Sequence, residues 1–303
     1  MNLYEIRTDL ALENREIYQK ASKMDEEIPG IETNVDNSSK NMLITTVKIT
    51  TESSAKALNK PIGEYITIES PYMNDEVESI DQEIIQVVAK TIKKVSHMVK
   101  KDSVLVVGLG NTDVTPDALG PKVIDNLFIT RHLKKYAPEL LEEDVREVSG
   151  IVPGVLGTTG IETSDVIKGV VKEIKPDLIL VVDALAAKEL NRISKTIQVS
   201  NVGITPGSGV KNNRSEISQK TLGIPVIAIG VPTVVGIPTI INDAISYVRE
   251  NLPEADNALK EKNYMQDILE NKKFDFMVTP NTIDDIITNL SRILSEGINE
   301  ALR

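Results

Sequence analysis

The 303 residues carry 41% hydrophobic and 26% charged side chains, enough apolar material for a sizeable core and too much for wholesale disorder. Lys and Arg number 34 against 45 Asp and Glu, a net charge of −11, which excludes a sequence-independent nucleic-acid binder because such a chain repels phosphates. Cysteine is absent and there are only two histidines, His97 and His132, so disulfides, a cysteine nucleophile, thiolate metal sites and a three-histidine zinc site are excluded. No apolar run reaches the length of a membrane span and no secretory pattern opens the chain; the expectation is a soluble cytoplasmic protein. Three Phe, seven Tyr and no Trp leave the core to Ile, Val, Leu and Ala, as in a buried parallel sheet.

In chain order, residues 10–24 read as a helix, and residues 36–40 (DNSSK) as a loop. Two alternating stretches, residues 43–50 (LITTVKIT) and 64–68 (EYITI), read as strands. Ile80, Ile84, Ile85, Val88, Ile92 and Val95 recur at helical spacing and predict an amphipathic helix over 79–99. Three runs apolar at nearly every position then follow, at residues 103–108 (SVLVVG), 177–183 (DLILVVD) and 224–230 (IPVIAIG). Such runs mark strands covered on both faces, and with helices expected at 118–134 and 161–174 they predict an α/β fold. Its sheet is expected to be mostly parallel with helices on both faces, beside a smaller strand-containing N-terminal region. A short helix is expected at 243–251, a charged and interrupted stretch at 253–275, and a final helix from Ile283 capped by Asn281 or Thr282.

Catalytic groups in such folds collect at the carboxyl ends of the strands. The first buried run leads into Gly108-Leu109-Gly110, but Asp113 stands where a dinucleotide fingerprint needs its third glycine, and no Walker lysine follows. Asp117, in TPDALGP, either opens the following helix or serves chemistry. Asp183 closes the second apolar run, where a charge is costly unless it caps a helix or reaches a cleft. Two carboxylates on one rim divide into a proton acceptor and a proton donor able to activate water, with no need of Cys or His. Asp113 reads as a turn residue, and His97 and His132 as helix-terminal and surface residues. Gly207, Ser208 and Gly209, in TPGSGV, form a loop able to shape a binding cleft, and Asn212, Asn213 and Arg214 are candidates for holding a carboxylate.

Taken together, RTDLA at 7–11, VGLGN with VTPDALGP across 106–121, IVPGVLGTTGIETSD at 151–165, VDALAA at 182–187, GITPGSGV at 203–210 and SQKTLGIPVIAIGVPTVV at 218–235 resemble the germination proteases, and the resemblance spans nearly the whole chain. It implies a core similar to the hydrogenase maturation proteases and an endopeptidase that degrades small acid-soluble spore proteins at germination. Its catalytic aspartates fall by motif on Asp117 and Asp183, with no cofactor; an alternative places a weakly held metal between the same carboxylates. The resemblance further implies a zymogen that cuts itself between Asp9 and Leu10, residues 1–9 being the propeptide, 10–78 an N-terminal region packed on the core and 79–303 the catalytic core. A homotetramer in the forespore or spore core, touching neither nucleic acid nor membrane, completes that picture. A rival reading is a non-proteolytic phosphate- or nucleotide-binding α/β protein.

Overall fold

A computed structural model describes residues 8–22, 28–142, 144–207, 215–251 and 276–303. The chain begins with helix α1 (Ala11–Ser22), then strands β1 (Ile31–Asp36) and β2 (Leu43–Ile49), helix α2 (Glu52–Leu58), strand β3 (Gly63–Glu69) and helix α3 (Glu78–Ser96). Next come β4 (Val104–Gly108), α4 (Leu119–Asp125), α5 (Arg131–Tyr136), β5 (Val148–Ile151), α6 (Leu156–Thr159), α7 (Thr163–Ile174) and β6 (Leu178–Ala187). The last elements are β7 (Thr196–Ser200), α8 (Gln219–Leu222), β8 (Val226–Gly236), α9 (Ile237–Asn251), β9 (Met277–Val278) and α10 (Ile283–Leu302).

The described strands form a single sheet in the order β1-β2-β3-β7-β8-β6-β4-β5, with β9 paired to β8. The three apolar runs are indeed neighbours, with β4, β5, β6 and β8 parallel. The expectation of a mostly parallel sheet is not met. β7 runs antiparallel to β8, β3 antiparallel to β7, and β1 and β2 continue antiparallel beyond. The physical reason lies in the connections. A parallel crossover needs a dozen or more residues, usually including a helix, and residues 188–195 between β6 and β7 are too few.

Side-chain alternation divides the interior in two. Val104, Val106, Leu178, Leu180, Val182, Ile227 and Ile229 face α3 and α10, whose apolar stripes complete that layer. Leu105, Val107, Ile179, Val181 and Val226 face Ile167 and Val171 of α7. Each fully buried Leu or Ile contributes about 1.5–3 kcal/mol relative to exposure.

Three local expectations are corrected. The helix expected over 118–134 is two helices, α4 and α5, because Thr130 is spent on β5: its hydroxyl donates to the Arg146 carbonyl at 2.5 Å and accepts the Val148 N–H at 2.8 Å. The helix expected at 243 starts at Ile237, with Pro238 in the first turn, where no helical N–H is needed. Thr282 does stand at the N-cap of α10, but its hydroxyl makes no capping bond. The stretch 253–275 lies outside the described residues.

Candidate active site

Asp183 does not end its strand as expected; β6 continues to Ala187. Four residues on from Ile179 and two from Val181, Asp183 projects from the same face as they do, past the cover that α7 provides. It is only 7% exposed, and its Oδ1 accepts the Ala184 N–H at 2.9 Å. In register, Asp183 pairs with Gly230 of β8, which pairs with Gln198 of β7. Asp183 and Gln198 therefore share a row and a face, two strand spacings or about 10 Å apart, with a glycine between them. Leu185 lies across that glycine, where any added Cβ would collide with its side chain.

Asp117 closes a single 3-10 turn, Thr115–Asp117, just before α4. Its carboxylate Oδ2 accepts the Asn111 N–H at 2.9 Å rather than capping the helix. The turn is fixed from three sides. Leu109 N–H donates to the Val182 carbonyl at 2.8 Å, next to Asp183; Thr233 of β8 donates to the Pro116 carbonyl at 2.7 Å; and Thr115 donates to Asp284 of α10 at 3.0 Å.

The glycines of this loop serve packing. Gly110 sits at φ +121, and a Cβ there would stand 1.8 Å from the Asp117 carbonyl oxygen. Gly120 lies so close to Leu109 and Val182 that its own Cβ would strike their backbone. The N–H groups of Leu109, Asn111, Asp113, Val114 and Asp117 are all bonded within the protein. Asp113 is exposed, in a turn closed by Asn111, as a turn residue should be. His97 and His132 are both exposed. Among the described residues no group of three or more His, Asp or Glu is arranged to hold a metal ion.

Asp117 and Asp183 line one cavity of about 1180 Å³ over the carboxyl end of the parallel strands. Gly207 lines it too, while Ser208, Gly209, Asn212, Asn213 and Arg214 lie outside the described residues. Asp9 also lines it. The Asp9 N–H donates to the Ala186 carbonyl and its Oδ2 accepts the Ala186 N–H, both at 2.9 Å, three residues beyond Asp183. Leu10 is fully buried among Leu185, Ala187, Ile193 and Val235.

Four further polar residues of this region carry no motif. The Asp9 carbonyl accepts from Lys60 Nζ at 2.8 Å and from Gln198 Nε2 at 3.3 Å, and Gln198 Oε1 accepts the Ala11 N–H at 2.7 Å. Glu13, 1% exposed, accepts the N–H groups of Lys188 and Glu189 at 2.7 and 2.8 Å and the hydroxyl of Thr8. Burial pushes the Glu13 carboxyl above its ordinary range, against those bonds and the nearby Arg192. Burial likewise lowers the Lys60 ammonium, against the charges of Asp9 and Glu13. Burial works against Arg192 as well, but its bonds to Glu16 and Glu69 outweigh this and hold it above the usual arginine range. None of the four had a legible signal in the sequence: Gln198, 8% exposed, lies in a strand that is polar at three of its five positions, TIQVS.

A germination protease family profile matches residues 11–263. The germination protease of Clostridium perfringens (strain 13 / Type A) is 46% identical over 99% of this chain and 96% of its own length. That of Caldanaerobacter subterraneus subsp. tengcongensis is 46% identical over 98% and 94%, and that of Priestia megaterium 38% identical over 100% and 95%. Among solved structures, the [NiFe] hydrogenase maturation protease HycI from Thermococcus kodakarensis KOD1 aligns with 48% of this chain and 80% of its own, at 19% identity and a TM-score of 0.29, a likeness too loose to build on.

Proposed function

The chain belongs to the germination protease family and is thus an endopeptidase, and from that premise we propose that Asp117 and Asp183 cleave peptide bonds by activating water between them. The observation that carries this reading is the shared cavity, which brings together both carboxylates and the Asp9 end of the bond expected to be cut first. One aspartate, ionised, takes a proton from water as it attacks the carbonyl carbon. The other, protonated, supplies the leaving amine. Close carboxylates favour such a division, because two like charges in one site ionise in separate steps.

The chain is made as a zymogen, its first target its own Asp9–Leu10 bond and its later targets small acid-soluble spore proteins in the spore core. Residues 8 and 9 obstruct the cleft until cut, since Asp9 occupies both backbone groups of Ala186. Assembly as a homotetramer follows from family membership alone. No described helix is long and apolar enough to cross a membrane.

An intact-mass time course at mildly acidic pH tests the reading on the full chain beside Asp117→Asn and Asp183→Asn. The parent should lose residues 1–9, and each variant should slow that loss by at least about 100-fold, the lower range for removing a general acid or base. Processing at the parental rate in both variants would move the chemistry elsewhere.

A further inference from the structure

We infer that Lys60, assisted by Gln198, is a catalytic residue of self-processing: it holds the carbonyl oxygen of the Asp9–Leu10 bond and takes up the charge that forms there. The inference rests on the reading that Asp117 and Asp183 cleave that bond, and adds the group which stabilises what they create.

Both atoms of the bond that change charge during cleavage are already held. The Asp9 carbonyl oxygen accepts from Lys60 Nζ at 2.8 Å and Gln198 Nε2 at 3.3 Å, within the reach expected of donors to a developing oxyanion. The Leu10 nitrogen donates to the Thr8 hydroxyl at 3.0 Å. Leu10 itself is fully buried, so the bond is fixed on its far side as well. Lys60 and Gln198 line the same cavity as the two aspartates.

In the first step the water oxygen bonds to the Asp9 carbonyl carbon, its proton goes to the ionised aspartate, and the carbonyl π electrons move onto the oxygen facing Lys60. In the second the C–N bond breaks, the Leu10 nitrogen takes the proton of the other aspartate, and the oxygen returns to a carbonyl within the new Asp9 carboxyl group. Water is the only co-reactant. An ammonium gains more from the full charge of the intermediate than from the dipole of the resting carbonyl. That difference is what accelerates a step, whereas a contact that merely holds the segment down does not.

Burial lowers the affinity of Lys60 for its proton, while Asp9 and Glu13 raise it. Tyr65, whose hydroxyl donates to the Pro61 carbonyl beside Lys60, and Glu216 line the same cavity, and Arg192 stands 3.6 Å from Glu13. Loss of the Lys60 proton should therefore add to the decline that deprotonation of the donor aspartate already imposes as pH rises.

The test is the rate of cutting after Asp9, read by intact mass from pH 5 to 9, in the full-length parent, Lys60→Met, Lys60→Arg and Asp117→Asn. Lys60→Met should slow the cut about 100-fold or more, the scale of losing one oxyanion donor. Lys60→Arg should stay within about tenfold of the parent and keep only the part of the alkaline decline that the donor aspartate imposes, because a guanidinium remains charged. Should Lys60→Met fail to fold, the arginine profile decides alone. Lys60→Met cutting at the parental rate or faster, or an alkaline decline unchanged in Lys60→Arg, would overturn the role of Lys60; with Asp117→Asn inactive in the same series, the aspartate reading would stand. A parent that never cuts after Asp9 would overturn both.

Discussion

The half of the sheet built from β4, β5, β6 and β8 and the half built from β1, β2, β3 and β7 are held by different kinds of contact. In the first, Asp183 stands on a buried strand and Asp117 on the 3-10 turn that follows β4, and the loop carrying Asp117 is pressed against backbone at Gly110 and Gly120. In the second, Thr8 and Asp9 are held by hydrogen bonds, with Lys60 and Gln198 on the Asp9 carbonyl, before the chain enters apolar cover at the buried Leu10, Ala11 and Leu12, and Arg192 ties Glu16 further on. Close-packed backbone fixes the loop that carries Asp117, and hydrogen bonds that water can replace hold Asp9. On the function proposed above, rigidity sits at the catalytic groups and exchangeable bonds at the segment to be released.

Substitutions can break this contrast from either side. The largest effect is expected for Gly110→Ala, whose Cβ would meet the Asp117 carbonyl oxygen at 1.8 Å in a backbone at φ +121. Urea denaturation should show a loss above about 4 kcal/mol, in the exceptional range for a point change. A loss under about 1 kcal/mol would mean that the loop has slack. Next comes Arg192→Met, which leaves Glu13, Glu16 and Glu69 without their shared cation. About 3 kcal/mol is expected, as for breaking a buried pair by removing one partner. Hydrogen exchange should quicken over residues 8–22 and stay unchanged in β4 and β6; equal quickening in both halves would erase the distinction.

The smallest effect, Glu13→Gln, sharpens the contrast through pH. The carboxyl of Glu13 is raised above 4.5 by burial, so folding favours its protonated form. Its stabilising contribution is complete below about pH 4.5 and is lost as pH rises through the raised value. The parent should therefore lose stability relative to Glu13→Gln as pH climbs above about 4.5 through the raised range, as read from paired urea midpoints. A constant difference across that range would show that Glu13 does not titrate there.

The same contrast explains what could be read from the chain. Three of the four parallel strands, β4, β6 and β8, were legible because burial on both faces leaves unbroken apolar runs, and Asp183 stood out as the charge that closes one of them. β1, with IETNVD mostly exposed at the sheet edge, carries no such pattern. β7 is short and interrupted by Gln198 and does not read as a strand in the sequence; its antiparallel pairing with β8 and β3 joins β1–β3 to the parallel strands and makes the sheet mixed. Lys60 reads as part of an ordinary turn, Asn59-Lys60-Pro61, and nothing local shows that its ammonium meets a carbonyl 51 positions earlier. Groups that act through long-range contacts with backbone leave no spacing to detect.

That separation also sets a clock. The Ala186 groups that receive Asp9 lie 177 positions further along the chain, and at about 5–20 residues per second a ribosome needs roughly 10–35 s to make the intervening stretch. Gln198 lies later still, and β7 is seated only once β8 has been made. Asp9 thus gains its Ala186 and Gln198 partners only once the later strands of the sheet are in place, and on the function proposed above a nascent or half-folded chain is not yet ready to be cut.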